Sequence, residues 1–225
     1  MNIGIIVAMK KEEALFLPLL EDLSEKMEDG YIFYTGRIGS HSITLMQCGI
    51  GKVNAAVGTL MLLNNYNVDL VINTGVAGGA DKQVNVMDVI VGAKIAHHDV
   101  WCGPGTKYGE ASGFPLYFKS DEGVIELLRI NDIIKIGLIC SGDKFIDDIS
   151  EINYIKSNFP DALAVDMESA SIAQVCELRN VPFLCIRVIS DSPGVNHDNS
   201  RQYDNFWEDA PKHTFKIVKE LLLKI

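Results

Sequence analysis

The chain is poor in the features that mark metal sites, redox motifs, nucleic-acid binding and membrane spans. Its 20 lysines and arginines against 30 aspartates and glutamates leave a net charge of −10, which argues against a phosphate-backbone ligand. The five cysteines form no Cys-x-x-Cys pair, so we expect neither a zinc site nor a redox motif. No apolar run is long enough to cross a membrane. We therefore expect no cofactor, no metal, no nucleic acid and no membrane partner. We also expect the protein to be cytoplasmic, because a reducing environment keeps cysteines as free thiols.

The length and composition are those of one globular domain. With 225 residues, 48% of them hydrophobic and 22% charged, the chain can bury a sizeable core without a disulfide or metal. The apolar segment 2–8 has no basic lead-in and runs into charged residues 10–13. We expect a buried strand there rather than a signal peptide.

Short runs rich in Ile and Val alternate with longer segments of helical period. The strands are predicted at 2–8, 31–38, 42–48, 69–74, 86–96, 135–140, 162–166 and 183–189. The helices are predicted at 12–23, 52–65, 149–158, 168–178 and 204–223. Such alternation is typical of a sheet covered on both faces. We predict a single α/β domain over residues 1–225, with a central mixed, largely parallel twisted sheet flanked by helices on both faces.

One predicted helix and two long irregular stretches stand out in this pattern. The helix at 52–65 carries an apolar face, which in an amphipathic helix ordinarily turns to the core. Its members are Val53, Ala56, Val57, Leu60 and Leu63. The longest irregular stretches are 97–120 and 190–203, and long loops in a compact domain are usually functional or disordered.

Several motifs are incomplete. Residues 49–52 resemble the end of a phosphate-binding loop, but Met46 stands where its first glycine belongs and Val53 replaces its hydroxyl residue. No Gly-x-Gly-x-x-Gly follows the first strand, which argues against a dinucleotide site. The run 97–99, His-His-Asp, indicates a hydrogen-bonded turn rather than a metal site, because neighbouring side chains on an extended segment point to opposite faces.

Acids and glycines gather where predicted strands end, the edge at which open α/β sheets bind ligands. These positions are Glu12, 75–79, 141–146, 166–168 and 190–191. Each also has a structural interpretation. Glu12 and Glu168 suit the first turn of a helix, Asp191 suits a turn or cap, and Phe145 suits a core. Their joint placement at one edge favours a pocket for a flat polar ligand.

Seven segments make the chain similar to a known family. They are IGIIVAMKKEE (3–13), CGIGKVNAA (48–56), DLVINTGVAGG (69–79), HHD (97–99), KIGLICSGDKFI (135–146), FPDALAVDMESASIAQVC (159–176) and VPFLCIRVISD (181–191). In this order they resemble the 5′-methylthioadenosine/S-adenosylhomocysteine nucleosidases of the purine nucleoside phosphorylase superfamily. The resemblance implies a nucleoside phosphorylase-like fold and hydrolysis of the N-glycosidic bond of adenine nucleosides.

The resemblance also implies roles at matching positions. Glu12 would be the base that activates water, and Asp191 the acid that protonates purine N7. The other expected substrate contacts are Met167 and Glu168 at the ribose, Phe145 stacked on adenine, the backbone of Ile146 at the adenine edge, and Met9, Gly78, Ser190 and Tyr203 around the pocket. Members of the family pair as homodimers. We therefore expect loop 97–110 to reach the partner's 5′ pocket, with Trp101 as its anchor.

Two positions depart from the family pattern. Val76 stands where many relatives carry a hydroxyl residue, and Asp166 replaces a commoner glutamate, whose shortening we expect to loosen the support of the pocket. Three alternatives are open at this point. They are a phosphate-dependent phosphorylase, a non-catalytic nucleoside-binding protein on the same fold, and hydrolysis of another nucleoside such as a futalosine.

Overall fold

The computed structural model describes residues 1–128 and 134–193, together with 202–204, 206–207, 219–220 and 222–224. The strands are β1 (Asn2–Val7), β2 (Glu21–Glu28), β3 (Tyr31–Ile38), β4 (His41–Gln47), β5 (Leu70–Gly79), β6 (Val89–His97), β7 (Phe118–Lys119), β8 (Ile134–Ser141), β9 (Ala162–Asp166) and β10 (Phe183–Asp191). The helices are α1 (Lys10–Phe16), α2 (Lys52–Asn65), α3 (Glu122–Leu128), α4 (Ile149–Asn158) and α5 (Ser169–Arg179). A short 3₁₀ turn, Leu17–Leu19, follows α1.

All ten strands form one mixed sheet, which confirms the predicted α/β class. The order runs β10, β6, β8, β9, β5, β1, β4, β3, β2, with β7 beside β6 and an extra pairing between β10 and β5. That extra pairing closes β5, β9, β8, β6 and β10 into a ring, while β1 to β4 extend from it as an open sheet. Parallel pairings join β4, β1, β5 and β10, and also β6, β8 and β9.

Side chains alternate between two cores, one on each face of the sheet. Ile6, Val71 and Cys185 pack with residues of α2 and α5. Ile5 and Ile72 pack on the other face with Phe16 of α1 and with α3. This period of two is the pattern expected of strands covered on both sides. No helix within the described ranges has the length and apolar character to cross a membrane.

The predicted helix 12–23 is wrong in its second half. α1 ends at Phe16, Pro18 lies in the 3₁₀ turn, and β2 begins at Glu21. Proline has no N–H to continue the helix, so the chain turns there. β2 was not predicted because seven of its eight residues are exposed and give it no apolar alternation. Charged edge strands of this kind resist pairing with other chains.

Helix α2 has the predicted bounds but turns a different face inward. The residues buried are Ala55, Gly58, Thr59 and Leu62. Val53, Val57 and Leu60 are 72%, 44% and 40% exposed. A β-carbon on Gly58 would lie 2.7 Å from Cβ of Cys48, so the small residues let the helix approach the sheet closely. The larger apolar side chains are therefore left outside.

The remaining differences concern loops and the chain end. β7 and α3 were not predicted, and β7 lies within the stretch 97–120 expected to be irregular. β5 and β10 each run on through the site residues, to Gly79 and Asp191. Most of the predicted helix 204–223, and most of the irregular stretch 190–203, lie outside the described residues.

Candidate active site

One cavity lies where β1, β5, β9 and β10 end. It is lined by ten residues that the sequence analysis placed in the site, and it also touches Asp166 and Val76. The ten are Met9, Glu12, Gly78, Phe145, Ile146, Met167, Glu168, Ser190, Asp191 and Tyr203. Trp101 is not among the lining residues and is 60% exposed on the loop after β6.

Glu12 is held by the backbone at the turn from β1 into α1. Its Oε2 accepts hydrogen bonds from the N–H groups of Ala8 (3.0 Å) and Met9 (2.9 Å). Its Oε1 accepts one from Val76 N–H at 3.1 Å. Burial raises the pKa of Glu12, while the bond from Met9, the charge of Arg187 and the other backbone bonds act in the opposite direction. The result is a fixed, desolvated carboxylate with enhanced basicity.

Asp191 lies at the other side of the same stretch of β5. It pairs with Gly78 across an irregularity at the end of β10, and a β-carbon on Gly78 would lie 3.3 Å from Asp191 Oδ2. The Ser190 hydroxyl donates to Asp191 Oδ1 at 2.5 Å and lies 3.3 Å from the carbonyl oxygen of Ala77. Asp191 is only 2% exposed. Residues 76–78 thus separate two buried carboxyl groups.

Glu168 lies at the N-cap position of α5, two residues after the end of β9. Its Oε1 accepts a hydrogen bond from Gly51 N–H, at the start of α2, at 2.8 Å. Burial, followed by the nearby charge of Asp166, raises the pKa of Glu168 to about 7. A carboxylate held in this way can accept hydrogen bonds from the hydroxyl groups of a sugar.

The chain is similar to known proteins along nearly its whole length. The family model "Phosphorylase superfamily" matches residues 2–223. The 5′-methylthioadenosine/S-adenosylhomocysteine nucleosidase of Anoxybacillus flavithermus is 38% identical, over 97% of this chain and 97% of that protein. That of Oceanobacillus iheyensis is 37% identical over 100% of both. The solved Streptococcus pneumoniae MTA/SAH nucleosidase in complex with 8-aminoadenine has a TM-score of 0.94 and 36% identity, over 100% of both chains.

The chain belongs to the 5′-methylthioadenosine/S-adenosylhomocysteine nucleosidase family. The expected family resemblance and α/β fold class are therefore confirmed.

A buried arginine supports the acidic side of the nucleosidase cavity. Arg187, 2% exposed, donates from Nε to Asp166 Oδ2 at 2.8 Å, and its Nη2 contacts the same carboxylate at 2.8 Å. Nη2 also donates to Asn73 Oδ1, while Asp166 Oδ1 accepts from the hydroxyl of Ser169 at 2.9 Å. The shorter side chain of Asp166 thus reaches its partners through both of its oxygens, and its effect on pocket support relative to a glutamate stays a prediction.

Sequence reasoning missed Arg187, although a signal was present. It is the one basic residue in the otherwise apolar run 183–189, and a buried arginine must have partners. An arginine inside a predicted buried strand therefore indicates an acidic partner on a neighbouring strand.

Aromatic side chains form the outer wall of the nucleosidase cavity. Phe145 is 43% exposed and meets Tyr203 edge to face, with ring centroids 5.9 Å apart. The Tyr203 hydroxyl donates to the sulfur of Met9 at 3.1 Å. The ring centroids of Trp207 and Tyr203 are 6.0 Å apart, and the ammonium group of Lys11 lies over the face of the Trp207 ring. A flat apolar face with one polar contact is suited to stacking a purine.

The three residues 97–99 do not converge on a metal. His97 Nε2 lies 2.9 Å from Gln174 Oε1, and Asp99 binds Lys52. Among the residues that the structure describes, no cluster of three histidines, cysteines or acids could hold an ion.

Proposed function

We propose that this chain hydrolyses the N-glycosidic bond of 5′-methylthioadenosine, S-adenosylhomocysteine and 5′-deoxyadenosine, releasing adenine and the corresponding ribose derivative. The observation that carries the proposal is the pair of buried carboxyl groups, Glu12 and Asp191, on either side of residues 76–78 in one cavity. Cleavage of glycosidic bonds needs one acid for the leaving group and a second carboxylate that serves water.

Asp191 acts on the leaving group. It protonates N7 as the bond between C1′ and N9 breaks, so that adenine departs neutral and the sugar develops oxocarbenium character. This step requires a carboxyl that is protonated before the bond breaks, and the Ser190 hydroxyl, which donates to Oδ1, fixes its orientation. A protonated aspartate also suits a 6-aminopurine, because one oxygen donates to N7 while the other accepts from the amino group.

Glu12 acts on water. It takes one proton as the oxygen bonds to C1′, and the proton lost by Asp191 is later restored through solvent. Ionisation is favoured by three backbone N–H bonds, and desolvation makes the ionised form a stronger base. Each acid or base step of this kind contributes roughly a hundred- to ten-thousandfold in rate.

The remaining lining residues hold the substrate. Glu168 and Met167 bind the ribose, Phe145 stacks on adenine beneath Tyr203, and the backbone of Ile146 reads the adenine edge. Their common cavity supports this assignment. Met9, Gly78 and Ser190 shape the walls around the sugar and the acid.

A phosphate-dependent reaction fits the cavity poorly. Phosphate needs charge-assisted donors. Lys144, the one basic residue that lines the cavity in the described part of the chain, is paired with Glu151. Arg187 is occupied by Asp166 and Asn73. The Glu12 carboxylate would repel the anion. A purely binding role would leave this desolvated base without a use.

We also propose that the chain forms a homodimer in the cytoplasm. Exposed apolar side chains on α2, Val53, Val57 and Leu60, leave a face for a second copy to cover. Trp101 is exposed on loop 97–110, as an anchor for a partner's 5′ pocket would be. The cysteines are all unpaired thiols, as a reducing cytoplasm would keep them.

Release of free base tests the reaction. The purified protein is incubated with 5′-methylthioadenosine, S-adenosylhomocysteine, 5′-deoxyadenosine and a futalosine in phosphate-free buffer, and adenine and the sugar product are measured by chromatography. We expect adenine and a free ribose derivative, at rates that do not change when phosphate is added. A sugar 1-phosphate would place the chain among the phosphorylases, and no release from any substrate would favour a binding protein.

A further inference from the structure

Lys52, Asp99 and Asp143 connect three loops next to residues of the substrate cavity. We call these three residues the Asp99 clasp. Lys52 Nζ donates to Asp99 Oδ1 at 2.8 Å, and Asp143 N–H donates to Asp99 Oδ2 at 2.8 Å. The third side is the bond from Lys52 N–H to Asp143 Oδ1, at 2.7 Å. The contacts form a closed ring between the start of α2, the end of β6 and the turn after β8. None of the three residues lines the cavity.

Two glycines allow the loops to approach this closely. A β-carbon on Gly51, whose φ is +94°, would lie 2.9 Å from Asp143 Oδ1. One on Gly142 would lie 2.5 Å from the His98 ring and 2.9 Å from Asp99 Cγ. Distances under about 3 Å are not tolerated between such atoms, so a β-carbon at either glycine would force the side chains of Asp143, His98 or Asp99 to shift.

The clasp joins the two halves of the substrate site. On one side, Gly51 precedes Lys52 and donates its N–H to Glu168, the proposed ribose carboxylate. On the other side, Phe145 and Ile146, the proposed adenine contacts, follow Asp143 by two and three residues. The ring of three contacts therefore sets how far the adenine contacts lie from the ribose carboxylate.

We propose that Asp99 is a positioning residue that fixes the adenine-binding turn relative to Glu168, and so aligns a ligand that occupies both. Its two oxygens accept from two different loops, and both partners are donors. An asparagine would have to turn its NH₂ group toward either the Lys52 ammonium or the Asp143 N–H, so one side of the ring must open. This role rests on the proposed adenine nucleoside hydrolysis.

A matched control lies elsewhere in the chain. Asp81 also binds a lysine, Lys156, and a backbone N–H, that of Gln83 at 3.0 Å. The side chains of Lys156 and Asp81 are 24% and 20% exposed, against 22% and 28% for Lys52 and Asp99. Asp81 does not line the cavity. Asp81→Asn therefore makes the same chemical change to a similar ion pair without touching the substrate site.

The test compares a ligand that spans both halves of the site with one that occupies a single half. For Asp99→Asn we expect kcat/KM for 5′-methylthioadenosine to fall about tenfold or more, with kcat reduced as well as KM raised. The Kd of adenine alone should change less than about threefold. Asp81→Asn should leave both constants within about twofold of the wild type, whatever it does to the melting temperature.

Binding is also measured in a Glu12→Gln background, so that the nucleoside is not consumed. Asp99→Asn should there weaken 5′-methylthioadenosine far more than adenine. Equal weakening of the two ligands, or a folded Asp99→Asn with nucleoside constants within twofold of its parent, overturns the positioning role. An inactive wild type that still shows the split in binding would instead overturn only the hydrolysis.

Discussion

The carboxylate of Glu12 occupies the space that a β-carbon on Gly75 would need. Such a carbon would lie 2.3 Å from Glu12 Oε1 and 2.9 Å from its carboxyl carbon. Gly75 immediately precedes Val76, whose N–H binds the same oxygen. The glycine therefore allows the Glu12 carboxylate of α1 to lie directly against the backbone of β5.

The first prediction is that Gly75→Ala displaces Glu12 and lowers kcat by roughly a hundredfold or more, the scale of a lost base step. Gly79→Ala is the control on the same strand, because its β-carbon would meet its nearest neighbour at 3.4 Å, an ordinary contact. Initial rates with 5′-methylthioadenosine and thermal melting are measured for both variants. Equal rates in the two folded proteins would show that Glu12 does not need this space.

The second prediction concerns Glu12 itself. Glu12→Gln should reduce turnover by roughly a hundredfold or more while the nucleoside still binds, because the base acts on water rather than on the ligand. The three groups that Glu12 bonds are all N–H donors, so the amide must also turn its NH₂ group toward one of them. Kd by calorimetry and kcat by adenine release separate the two effects. A variant with near-normal turnover contradicts the assignment.

The third prediction concerns the acid. Asp191→Asn keeps the shape and can still accept from Ser190 but cannot deliver a proton, so kcat should fall by roughly a hundredfold or more. Ser190→Ala removes the hydroxyl that orients the acid and should cost less than the loss of the acid itself. Single-turnover rates of adenine release are the measurement. A smaller loss in Asp191→Asn than in Ser190→Ala would exclude the acid role.

The fourth prediction follows from the raised pKa of Glu168. Because the folded protein holds this proton up to a pKa of about 7, against an ordinary 4.5, the free energy of unfolding contributed by Glu168 falls as pH rises from about 4.5 to 7. Glu168→Gln avoids the cost of burying the charge. The free energy of unfolding of this variant, relative to that of the wild type, should therefore increase over that pH range, by about 3 kcal/mol at pH 8.

Urea unfolding at pH 4.5 and pH 8 measures this difference. The same ionisation should act on function with the opposite sign, because sugar hydroxyls donate better to a carboxylate than to a carboxylic acid. Nucleoside affinity of the wild type should therefore increase between pH 6 and pH 8. A difference in unfolding free energy that is the same at both pH values would show that folding does not raise the pKa of Glu168.

The fifth prediction concerns the proposed dimer. Trp101→Ala should weaken self-association and the affinity for nucleosides with bulky 5′ thioethers, while adenine binding is unchanged. Leu178→Ala is the control, since Leu178 is 61% exposed against 60% for Trp101. Analytical ultracentrifugation over a range of concentrations and binding assays give the two readouts. A wild type that is fully active as a monomer at micromolar concentration contradicts the proposal.

Elements whose apolar residues recur with a clear helix or strand period could be predicted from the sequence. Elements whose position depends on contacts with distant segments of the chain could not. Strand β9 and helices α2 and α4 have the predicted bounds. The exposed strand β2 buries almost nothing and so carries no period. The face of α2 that packs on the sheet is determined by how closely Gly58 can approach Cys48. The spacing of apolar residues along the helix carries no information about such a contact.

Some residues of the cavity could likewise be identified from the sequence, and others could not. Residues 75–79 and the acids at strand ends were identifiable because the chemistry needs those residue types at that edge. Arg187 and the Asp99 clasp were not, since each depends on which strands and loops are neighbours. The partners of Arg187 come from β9 and β5, which lie 21 and 114 residues away along the chain.

The ion pair between Arg187 and Asp166 also limits how this enzyme family can change by single steps. Removing one member of a buried pair leaves an unpaired charge and typically costs about 3–5 kcal/mol, whereas exchanging both for apolar residues is often neutral. A lineage that alters one side alone must therefore pass through a poorly folded intermediate. Directed evolution that samples one substitution per round would therefore leave the Arg187–Asp166 pair unchanged. Libraries that vary positions 166 and 187 together would be needed to change this part of the cavity.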